Sequence, residues 1–492
     1  MADSRTLHNF IALFGAQAVA MAAGLVTTAW LARALQPEAF GIVGFGSALL
    51  SYFAIFILFG TDRNGKRDIA RDPASIRTVL PRILGLRMAL LLAGAAAFLL
   101  VVEALDQPDR VKTVMRLQTL GLVATAAGLD FVFQGLQRMR MIGFRQAASS
   151  VLVLVAALLL VRAPGDLYIA AVVPHAALLL TALWMAWRIG RETGGLAVGV
   201  DPPAWWAVMR RAAPMAVTAA TATVYLTADI LMLGFLDTAH AVGLYVGAAR
   251  IYAIAGIVSG LLVAVFLPSL SALFGNAEGM RREYRGFAST MLFLGLPIVA
   301  TAGCFAGPVI RILLGDGFLG AQAALAVLMA AAGVGILNQI GCAALLSWNG
   351  EKRQMYAQGA GAALNVLLNL LLIPAFGIVG AAAASVASEL LVAALVVSAC
   401  AVRYGVTPLR PLFGLGACAA AAFGSVLTLD ALGGGLLTFA SPLATLAAGG
   451  GLACVVYAGL AWTAGLADPR RIRAALMREA SRDVSRGAPR PE

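Results

Sequence analysis

Charged residues are scarce in this sequence, since Asp, Glu, Lys and Arg together make up 12% of its 492 residues. That share is about half of what soluble globular proteins carry. Hydrophobic residues make up 61% and the mean hydropathy is +0.88. The charges fall between apolar runs of about 20 residues, the length with which a helix crosses a bilayer. These features exclude a water-soluble fold and predict an all-α polytopic membrane protein.

The sequence also offers little from which to build a metal, cofactor or catalytic site. It has 3 histidines and 5 cysteines, and neither type shows the paired short spacing of a zinc site. It has no glycine-rich phosphate loop followed by Lys and Ser or Thr, which excludes nucleotide hydrolysis by that route. We therefore expect no metal, no cofactor and no enzymatic activity. The cysteines lie inside apolar runs, where we expect buried free thiols: Cys304, Cys342, Cys400, Cys418 and Cys454.

The formal net charge is +12, yet the basic residues are dispersed through short loops. They form no stripe interleaved with stacking aromatic residues, so we expect no nucleic-acid partner.

Apolar runs bounded by Gly, Pro and charged residues predict fourteen membrane spans. The spans fall near 9–32, 39–59, 83–103, 111–135, 146–162, 167–187, 212–234, 243–267, 287–306, 321–347, 356–374, 377–402, 411–430 and 440–464.

Lys and Arg are distributed unevenly between the two membrane sides that these spans define. One side holds 28 of them, the other holds 5, and 3 lie within spans. Because cytoplasmic loops retain positive charge, we expect both termini in the cytoplasm. The loops on the external side are short and leave no room for an external catalytic domain, which disfavours a membrane-embedded polymerase.

A linker-like stretch with Gly194-Gly195, Gly199 and Pro202-Pro203 follows the sixth span. The turn at 39–44 is similar to the turn at 241–247, which indicates two six-helix halves of parallel topology, unless the match of small residues is a coincidence. We predict an N-terminal six-helix lobe over 1–205 and a C-terminal six-helix lobe over 206–405. Two additional helices follow over 406–466, and then a basic cytoplasmic tail over 467–492, either solvated or an interfacial helix.

Ionisable side chains within spans are costly in hydrocarbon and usually face a partner or a water-filled cavity. Depth along the spans matches Arg87 with Asp130, and Asp229 with Arg250. We therefore predict a structural ion pair on each of two hairpins. Two further residues, Arg116 and Glu389, find no partner by depth. The six ionisable residues within spans are Arg87, Arg116, Asp130, Asp229, Arg250 and Glu389.

The two unmatched residues each allow two interpretations. In a continuous helix, Arg116 returns to within about 40° of the face that carries Asp130. One face of the fourth span then carries charge near both membrane surfaces, as a translocation pathway does. The alternative is that Arg116 extends into the external headgroups. Glu389 lies in mid-membrane, where it serves either proton coupling or a hydrogen bond to a neighbouring helix.

Several stretches between about residues 9 and 400 resemble, in order and spacing, the polysaccharide flippase family. That family belongs to the multidrug/oligosaccharidyl-lipid/polysaccharide exporter superfamily. The loop at 59–63 departs from the family pattern at Asp62 and Arg63. The stretches are Asn9, ARAL at 32–35, EAFG at 38–41, FGTDR at 59–63, RDIAR at 67–71, FVFQGLQRM at 131–139, TADI at 227–230, VGLY at 242–245, AARI at 248–251 and FGIVGAA at 376–382.

The resemblance implies two six-helix lobes around a central cavity in a bacterial cytoplasmic (inner) membrane. It implies flipping of a lipid-diphosphate-linked oligosaccharide from the cytoplasmic to the external leaflet, for lipopolysaccharide, capsule or exopolysaccharide assembly. The expected partners are this lipid-linked substrate, membrane lipids and a polysaccharide polymerase or export machinery.

An anionic diphosphate needs counter-charge inside the membrane. The candidate substrate-binding residues are therefore Arg116, Arg87 and Arg250, in that order. Glu389, Asp130 and Asp229 are candidates for ion coupling or structural pairing. Three alternatives stay open: a multidrug or cation extruder of the same superfamily, a membrane-embedded polysaccharide polymerase, and a scaffold that transports nothing.

The distribution of basic residues predicts which loops an impermeant thiol reagent reaches from outside the cell. In a variant without native cysteines, we expect a cysteine at Lys352 to be protected in intact cells and a cysteine at Asp166 to be labelled. Labelling after permeabilisation of the cells is the control for reactivity. External labelling at Lys352 would contradict the orientation.

Overall fold

The computed structural model describes residues 2–437, 439 and 441–466, with side chains from Gly15 onward except that of Val258. The predicted basic tail, 467–492, lies outside these residues. Within the described ranges the regular elements are helical and no β-strand occurs, so the predicted all-α fold is confirmed. The chain forms two compact units, unit 1 (Met1–Gly243) and unit 2 (Leu244–Glu492).

Nine helices lie in unit 1, a tenth crosses its end, and seven more lie in the described part of unit 2. In unit 1 these are α1 (Ala2–Leu58), α2 (Thr61–Arg71), α3 (Ile76–Ala104), α4 (Asp109–Gln118), α5 (Leu120–Ala126), α6 (Asp130–Gly135), α7 (Met139–Leu160), α8 (Leu167–Thr193) and α9 (Pro202–Leu236). The tenth is α10 (Ala239–Ala272), and unit 2 continues with α11 (Ala277–Cys304), α12 (Ala306–Leu313), α13 (Gln322–Ser347), α14 (Glu351–Tyr404), α15 (Leu409–Leu432), α16 (Pro442–Thr445) and α17 (Gly451–Thr463).

Twelve helical stretches of the described residues are long and apolar enough to cross a membrane. Two of them, α1 and α14, each consist of two helices that meet at a kink. When the two halves of α1 and the two halves of α14 are counted separately, the twelve stretches correspond to the fourteen predicted spans. Several helices extend beyond the apolar run on which the prediction rested; α7, for example, begins at Met139 rather than at residue 146.

The kinks fall where the local sequence cannot continue a helix. In α1, Gln36 has φ 60° and ψ 169° and precedes Pro37, whose ring disfavours a helical conformation at the preceding residue. In α14, Gly377 has φ 54° and ψ −131°, a region that glycine adopts without steric cost. Pro374 lies one turn earlier and lacks the N–H of a helical hydrogen bond.

The fourth predicted span is not one continuous helix. It divides into α4, α5 and α6, with breaks at Thr119 and at 127–129. Arg116 and Asp130 therefore lie on different helices, and the continuous fourth helix that the prediction of a shared face assumed is not present. The second break leaves the carbonyl oxygen of Gly128 to accept a hydrogen bond from Arg87 Nη1 at 2.8 Å, since a buried carbonyl needs a donor when the helix no longer supplies one.

Glycines allow a close contact in unit 1 between the two similar turns found in the sequence. A Cβ added to Gly41 would lie 2.0 Å from the carbonyl oxygen of Ala239. A Cβ added to Gly243 would lie 1.8 Å from the carbonyl oxygen of Pro37. Both obstacles are backbone atoms, which cannot rotate away, so each position requires glycine for close approach. Nearby, the rings of Phe45 and Phe235 pack edge to face with centroids 5.3 Å apart.

The helix pair α13 and α14 contributes much of the packing in unit 2, and Trp348 closes one end of this pair. Trp348 is fully buried, and its Nε1 donates to the carbonyl oxygen of Leu270 at 2.9 Å. The Tyr404 hydroxyl donates to the carbonyl oxygen of Trp348 at 2.6 Å. These bonds satisfy polar groups at the ends of α10 and α13 that would otherwise be buried without partners.

The five cysteines are free thiols as predicted, but Cys304 is exposed and, of the five, only Cys342 and Cys400 are buried. Position within an apolar run does not decide which face of a helix a residue occupies.

The division into units 1 and 2 reflects packing, whereas the predicted lobes 1–205 and 206–405 reflect repeat topology. The lobe boundaries therefore stay predictions.

Candidate functional site

Arg87 on α3 lies at the centre of a buried hydrogen-bond cluster and is itself only 1% exposed. Its Nε and Nη2 donate to Thr61 Oγ1 at 3.0 and 2.8 Å. Its Nη2 donates to Asp62 Oδ1 at 2.5 Å and its Nη1 to the Gly128 carbonyl oxygen at 2.8 Å. The Phe131 ring lies 5.1 Å from the guanidinium carbon, within cation–π distance. Arg87 thus joins α2, α3 and the break before α6.

Asp130 does not pair with Arg87, and that prediction is wrong. Asp130 begins α6 and accepts two hydrogen bonds from Arg145 on α7, at 2.7 and 2.6 Å. The Arg145 side chain is only 11% exposed. The sequence argument missed Arg145 because it lies one residue outside the predicted fifth span, although α7 includes it.

Arg116 has a partner, which corrects the prediction that it is unmatched. Its Nε and Nη2 donate to the two carboxylate oxygens of Glu103 at 2.7 and 2.8 Å. The Arg116 and Glu103 side chains are 41% and 54% exposed, so this bidentate pair lies at the surface of unit 1. Glu103 ends the third predicted span at a depth close to that of Arg116, and the same depth argument applied to span ends would have found it.

Arg250 differs from these arginines in having no partner among the described side chains of its own unit. It lies on α10, is exposed, and neither hydrogen-bonds nor forms an ion pair with any described side chain of unit 2. Asp229, its predicted partner, is half-buried on α9 of unit 1, whereas Arg250 belongs to unit 2. Their pairing stays a prediction.

Glu389 on the second half of α14 is buried and hydrogen-bonded. Asn338 Nδ2 on α13 donates to Glu389 Oε2 and, at 3.2 Å, to its carbonyl oxygen. The Tyr252 hydroxyl on α10 donates to Oε1 at 3.3 Å. Of the two interpretations offered by the sequence, the hydrogen bond to a neighbouring helix is therefore present.

Amide side chains were not among the predicted site residues, although they interrupt apolar runs. Besides Asn338, the first half of α14 contributes Asn365 and Asn369, both buried. Asn369 Nδ2 donates to Asn365 Oδ1 at 3.0 Å. Polar groups of this kind are costly in a membrane unless they are bonded or functional, and that cost was a usable signal in the sequence.

These arrangements separate the charged residues within the spans by what they can do. Arg87 is buried and Arg145 is partly buried, and both donate to protein acceptors. Arg116 is exposed, and its guanidinium donates hydrogen bonds to the Glu103 carboxylate. The guanidinium donors of Arg250 are not used by described side chains of unit 2, and a guanidinium is a planar fork that suits phosphate or carboxylate oxygens. Among the described residues there is no group of three or more His, Cys, Asp or Glu side chains that could hold a metal ion.

Solved structures with a similar fold are membrane transporters. The fold matches lipid II flippase MurJ in its inward closed conformation with a TM-score of 0.73 and 12% identity, covering 96% of this chain and 99% of that one. It matches an inward-facing multidrug resistance MATE family transporter of the MOP superfamily with a TM-score of 0.64 and 13% identity, over 78% of this chain and 94% of that one. It also matches a MOP superfamily transporter from Pyrococcus furiosus with a TM-score of 0.56 and 13% identity, over 80% of this chain and 94% of that one.

The chain thus has the fold of the multidrug/oligosaccharidyl-lipid/polysaccharide exporter (MOP) superfamily of membrane transporters. A family model described as polysaccharide biosynthesis protein matches residues 6–274, which is more than half of the sequence. The chain therefore belongs to the polysaccharide biosynthesis protein family, in agreement with the resemblance found in the sequence. No curated protein matches it significantly.

The different surroundings of Arg87 and Arg116 predict different costs of removal. Arg87→Ala leaves Thr61, Asp62 and the Gly128 carbonyl without their shared donor, so we expect it to lower the free energy of unfolding by about 2 to 4 kcal/mol. Arg116→Ala breaks a solvent-exposed pair and should leave the free energy of unfolding nearly unchanged. Heating the detergent-solubilised variants and measuring the folded fraction by size-exclusion chromatography checks this. Equal losses for both variants would contradict the structural role of Arg87.

Proposed function

We propose that this protein flips a lipid-diphosphate-linked oligosaccharide from the cytoplasmic to the external leaflet of a bacterial inner membrane. The cargo would serve lipopolysaccharide, capsule or exopolysaccharide synthesis. Family membership and the transporter fold support a membrane transporter in polysaccharide biosynthesis. The observation that carries the choice of cargo is Arg250, an exposed arginine inside a span that has no partner among the described side chains of unit 2.

The energetic argument for Arg250 rests on the cost of an exposed charge inside a bilayer. An arginine that faces acyl chains raises the free energy of the folded protein, because its charge is not solvated. An exposed arginine within a span is therefore expected to face water or a ligand. A diphosphate brings negative charge and several acceptor oxygens, and a guanidinium binds such groups with paired hydrogen bonds. Arg250 therefore becomes the first candidate for cargo binding. Arg116 is the second, because an anion can compete with Glu103 at an exposed pair.

Arg87 takes a different role from the one that the sequence indicated. Its donors are occupied by acceptors of unit 1 and its side chain is buried. A diphosphate could reach it only by breaking these bonds. We therefore propose that Arg87 stabilises unit 1 and does not contact the cargo.

The membrane potential favours export of such a cargo. An anion that leaves a negative cytoplasm gains about 2.3 kcal/mol per charge per 100 mV, or about 4 to 5 kcal/mol for two charges. The excess of Lys and Arg on one side supports an orientation with both termini in the cytoplasm, as transport in this direction assumes. A polysaccharide polymerase or export machinery that takes over the flipped cargo is the expected partner.

Reconstituted vesicles test the proposal. Purified protein is inserted into liposomes that contain a labelled undecaprenyl-diphosphate oligosaccharide, and an impermeant glycosidase reports how much cargo crosses the bilayer. We expect Arg250→Ala to reduce the initial rate about tenfold or more, because a charge-assisted hydrogen bond contributes about 1.5 to 3 kcal/mol. Arg250→Lys should retain part of the rate, since lysine keeps the charge but not the paired donors.

Arg353→Ala is the matched control, because Arg353 is an exposed arginine of unit 2 near the start of α14. Its rate should equal that of the unmodified protein. Normal flipping by Arg250→Ala present at normal levels would contradict the role of Arg250. Transport of cationic amphiphiles in place of the lipid-linked oligosaccharide would instead favour the multidrug extruder.

A further inference from the structure

The helix α2 connects two membrane-spanning stretches of unit 1. Two residues, Phe59 and Gly60, separate it from α1, and their φ angles of 40° and 69° turn the chain sharply where α1 ends. The first residue of α2 therefore lies within about 11 Å, three Cα–Cα steps, of the last residue of α1. At the other end, Asp72 alone separates α2 from Pro73–Ala104, which is long and apolar enough to cross a membrane. Both ends of α2 are thus held at one membrane surface.

One face of α2 is fixed to unit 1 by burial. Thr61, Asn64 and Ile69 are buried on this face. Ile69 belongs to a hydrophobic core that also contains Ile83 of α3 and Phe131 of α6. An isolated helix of this length is marginally stable in water, so its packing on the two neighbouring helices keeps α2 folded and in place. The opposite face therefore has a fixed direction, away from the core of unit 1.

This opposite face of α2 carries four basic residues and is called the basic face below. The residues are Arg63, Lys66, Arg67 and Arg71. They are three or four positions apart, the spacing that places side chains on one side of a helix, and all four are exposed. Arg63 Nη1 lies 3.2 Å from the sulfur of Met215. The side chains of Lys66 and Arg71 form no hydrogen bond or ion pair with the described residues of unit 1.

The acidic residues of α2 do not neutralise the basic face. Asp62 Oδ1 accepts a hydrogen bond from Arg87 at 2.5 Å, and Asp68 Oδ2 accepts one from Arg211 of α9 at 2.7 Å. Arg67 lies 3.9 Å from Asp68, which is too far for a hydrogen bond. Each carboxylate is thus paired with an arginine outside the basic face, and the face keeps a net positive charge.

A row of exposed cations at a membrane surface attracts anionic lipid headgroups, and a cluster of Lys and Arg beside a span is a typical lipid-binding feature. The attraction decays over a Debye length of about 10 Å at 0.1 M salt, which is similar to the distance between α2 and the end of α1. Because the four side chains are exposed rather than enclosed in a pocket, they select for negative charge and not for the shape of one headgroup. This favours anionic phospholipids in general over one particular lipid.

We propose that the basic face of α2 binds the phosphate groups of anionic phospholipids in the cytoplasmic leaflet. The helix α2 follows the second predicted span, on the side that holds most Lys and Arg, which places it in the cytoplasm. Guanidinium groups bind phosphate oxygens with paired, charge-assisted hydrogen bonds. The bound lipids hold α2, and with it the adjoining ends of α1 and α3, at the level of the headgroups. This binding does not depend on the identity of the cargo.

Fluorescence quenching in lipid nanodiscs tests the proposal with the full chain. In a variant without native cysteines, a fluorophore is attached to a cysteine at Ala70, an exposed position of α2 beside Arg71. The quenchers are phospholipids that carry a nitroxide on the acyl chain near the headgroup. In low salt we expect phosphatidylglycerol to quench at about tenfold lower mole fraction than phosphatidylcholine. In about 1 M salt, where the Debye length is about 3 Å, this preference should fall below about twofold. Equal quenching by the two lipids in low salt would overturn the proposal.

Substitution of the basic face locates the binding. The combined substitution Lys66→Gln, Arg67→Gln and Arg71→Gln should reduce the preference for phosphatidylglycerol below about twofold. The matched control replaces by Gln three exposed basic residues of unit 2 on the same predicted side of the membrane, which are Arg282, Lys352 and Arg353. The control should keep the tenfold preference, and size-exclusion chromatography verifies that both variants are folded. A preference that persists without the basic face, or that is lost in the control, would overturn the assignment to α2.

Competition measurements identify the source of the phosphate. Unlabelled undecaprenyl diphosphate should displace the nitroxide-labelled phosphatidylglycerol no better than unlabelled phosphatidylglycerol of equal total charge. Inorganic diphosphate in solution should relieve quenching no more than sodium chloride of equal ionic strength. Preferential displacement by undecaprenyl diphosphate would assign the basic face to the cargo, and preferential displacement by inorganic diphosphate would assign it to a soluble anion. Either result would overturn binding of phospholipids in general.

Discussion

A charge inside a membrane must have a partner or face water, and this constraint explains most of the polar structure of the protein. Without water to solvate it, an isolated ion costs several kcal/mol. Arg87, Arg145 and Glu389 meet the requirement by direct bonds to neighbouring helices. Arg250 is exposed and has no such partner among the described side chains of unit 2, so we propose that water or a ligand solvates its charge. The constraint thereby separates structural charges from a candidate functional one.

Two arginines bond to the break in the fourth predicted span of unit 1. The span is broken at 127–129, and an arginine donates hydrogen bonds to groups at or next to the break on each side. Arg87 donates a hydrogen bond to the carbonyl oxygen of Gly128, and Arg145 donates to the carboxylate of Asp130 at the start of α6. A helix that is interrupted in this way exposes backbone groups that lipid cannot satisfy, so the break is stable only where protein donors surround it.

Hydropathy and breaker residues were sufficient to predict the all-α class and the fourteen spans. These properties depend on local sequence, and the kinks near Pro37 and Pro374 follow from proline itself. The ion pairs were harder to predict, because they depend on where helices end and on how they are rotated. Arg145 was missed since α7 begins seven residues before the apolar run. The pairing of Arg116 with Glu103 was missed because only residues well inside the spans were matched by depth, and Glu103 lies at the end of its span.

The central claim is that Arg250 is accessible to water inside the membrane whereas Arg87 is not, and accessibility can be measured directly. In a variant that lacks the five native cysteines, a single cysteine is introduced at either position, and membranes are treated with a small charged thiol reagent. We predict rapid modification at position 250, slowed by added lipid diphosphate, and little modification at position 87 in folded protein. Protection at position 250 together with modification at position 87 would contradict the account.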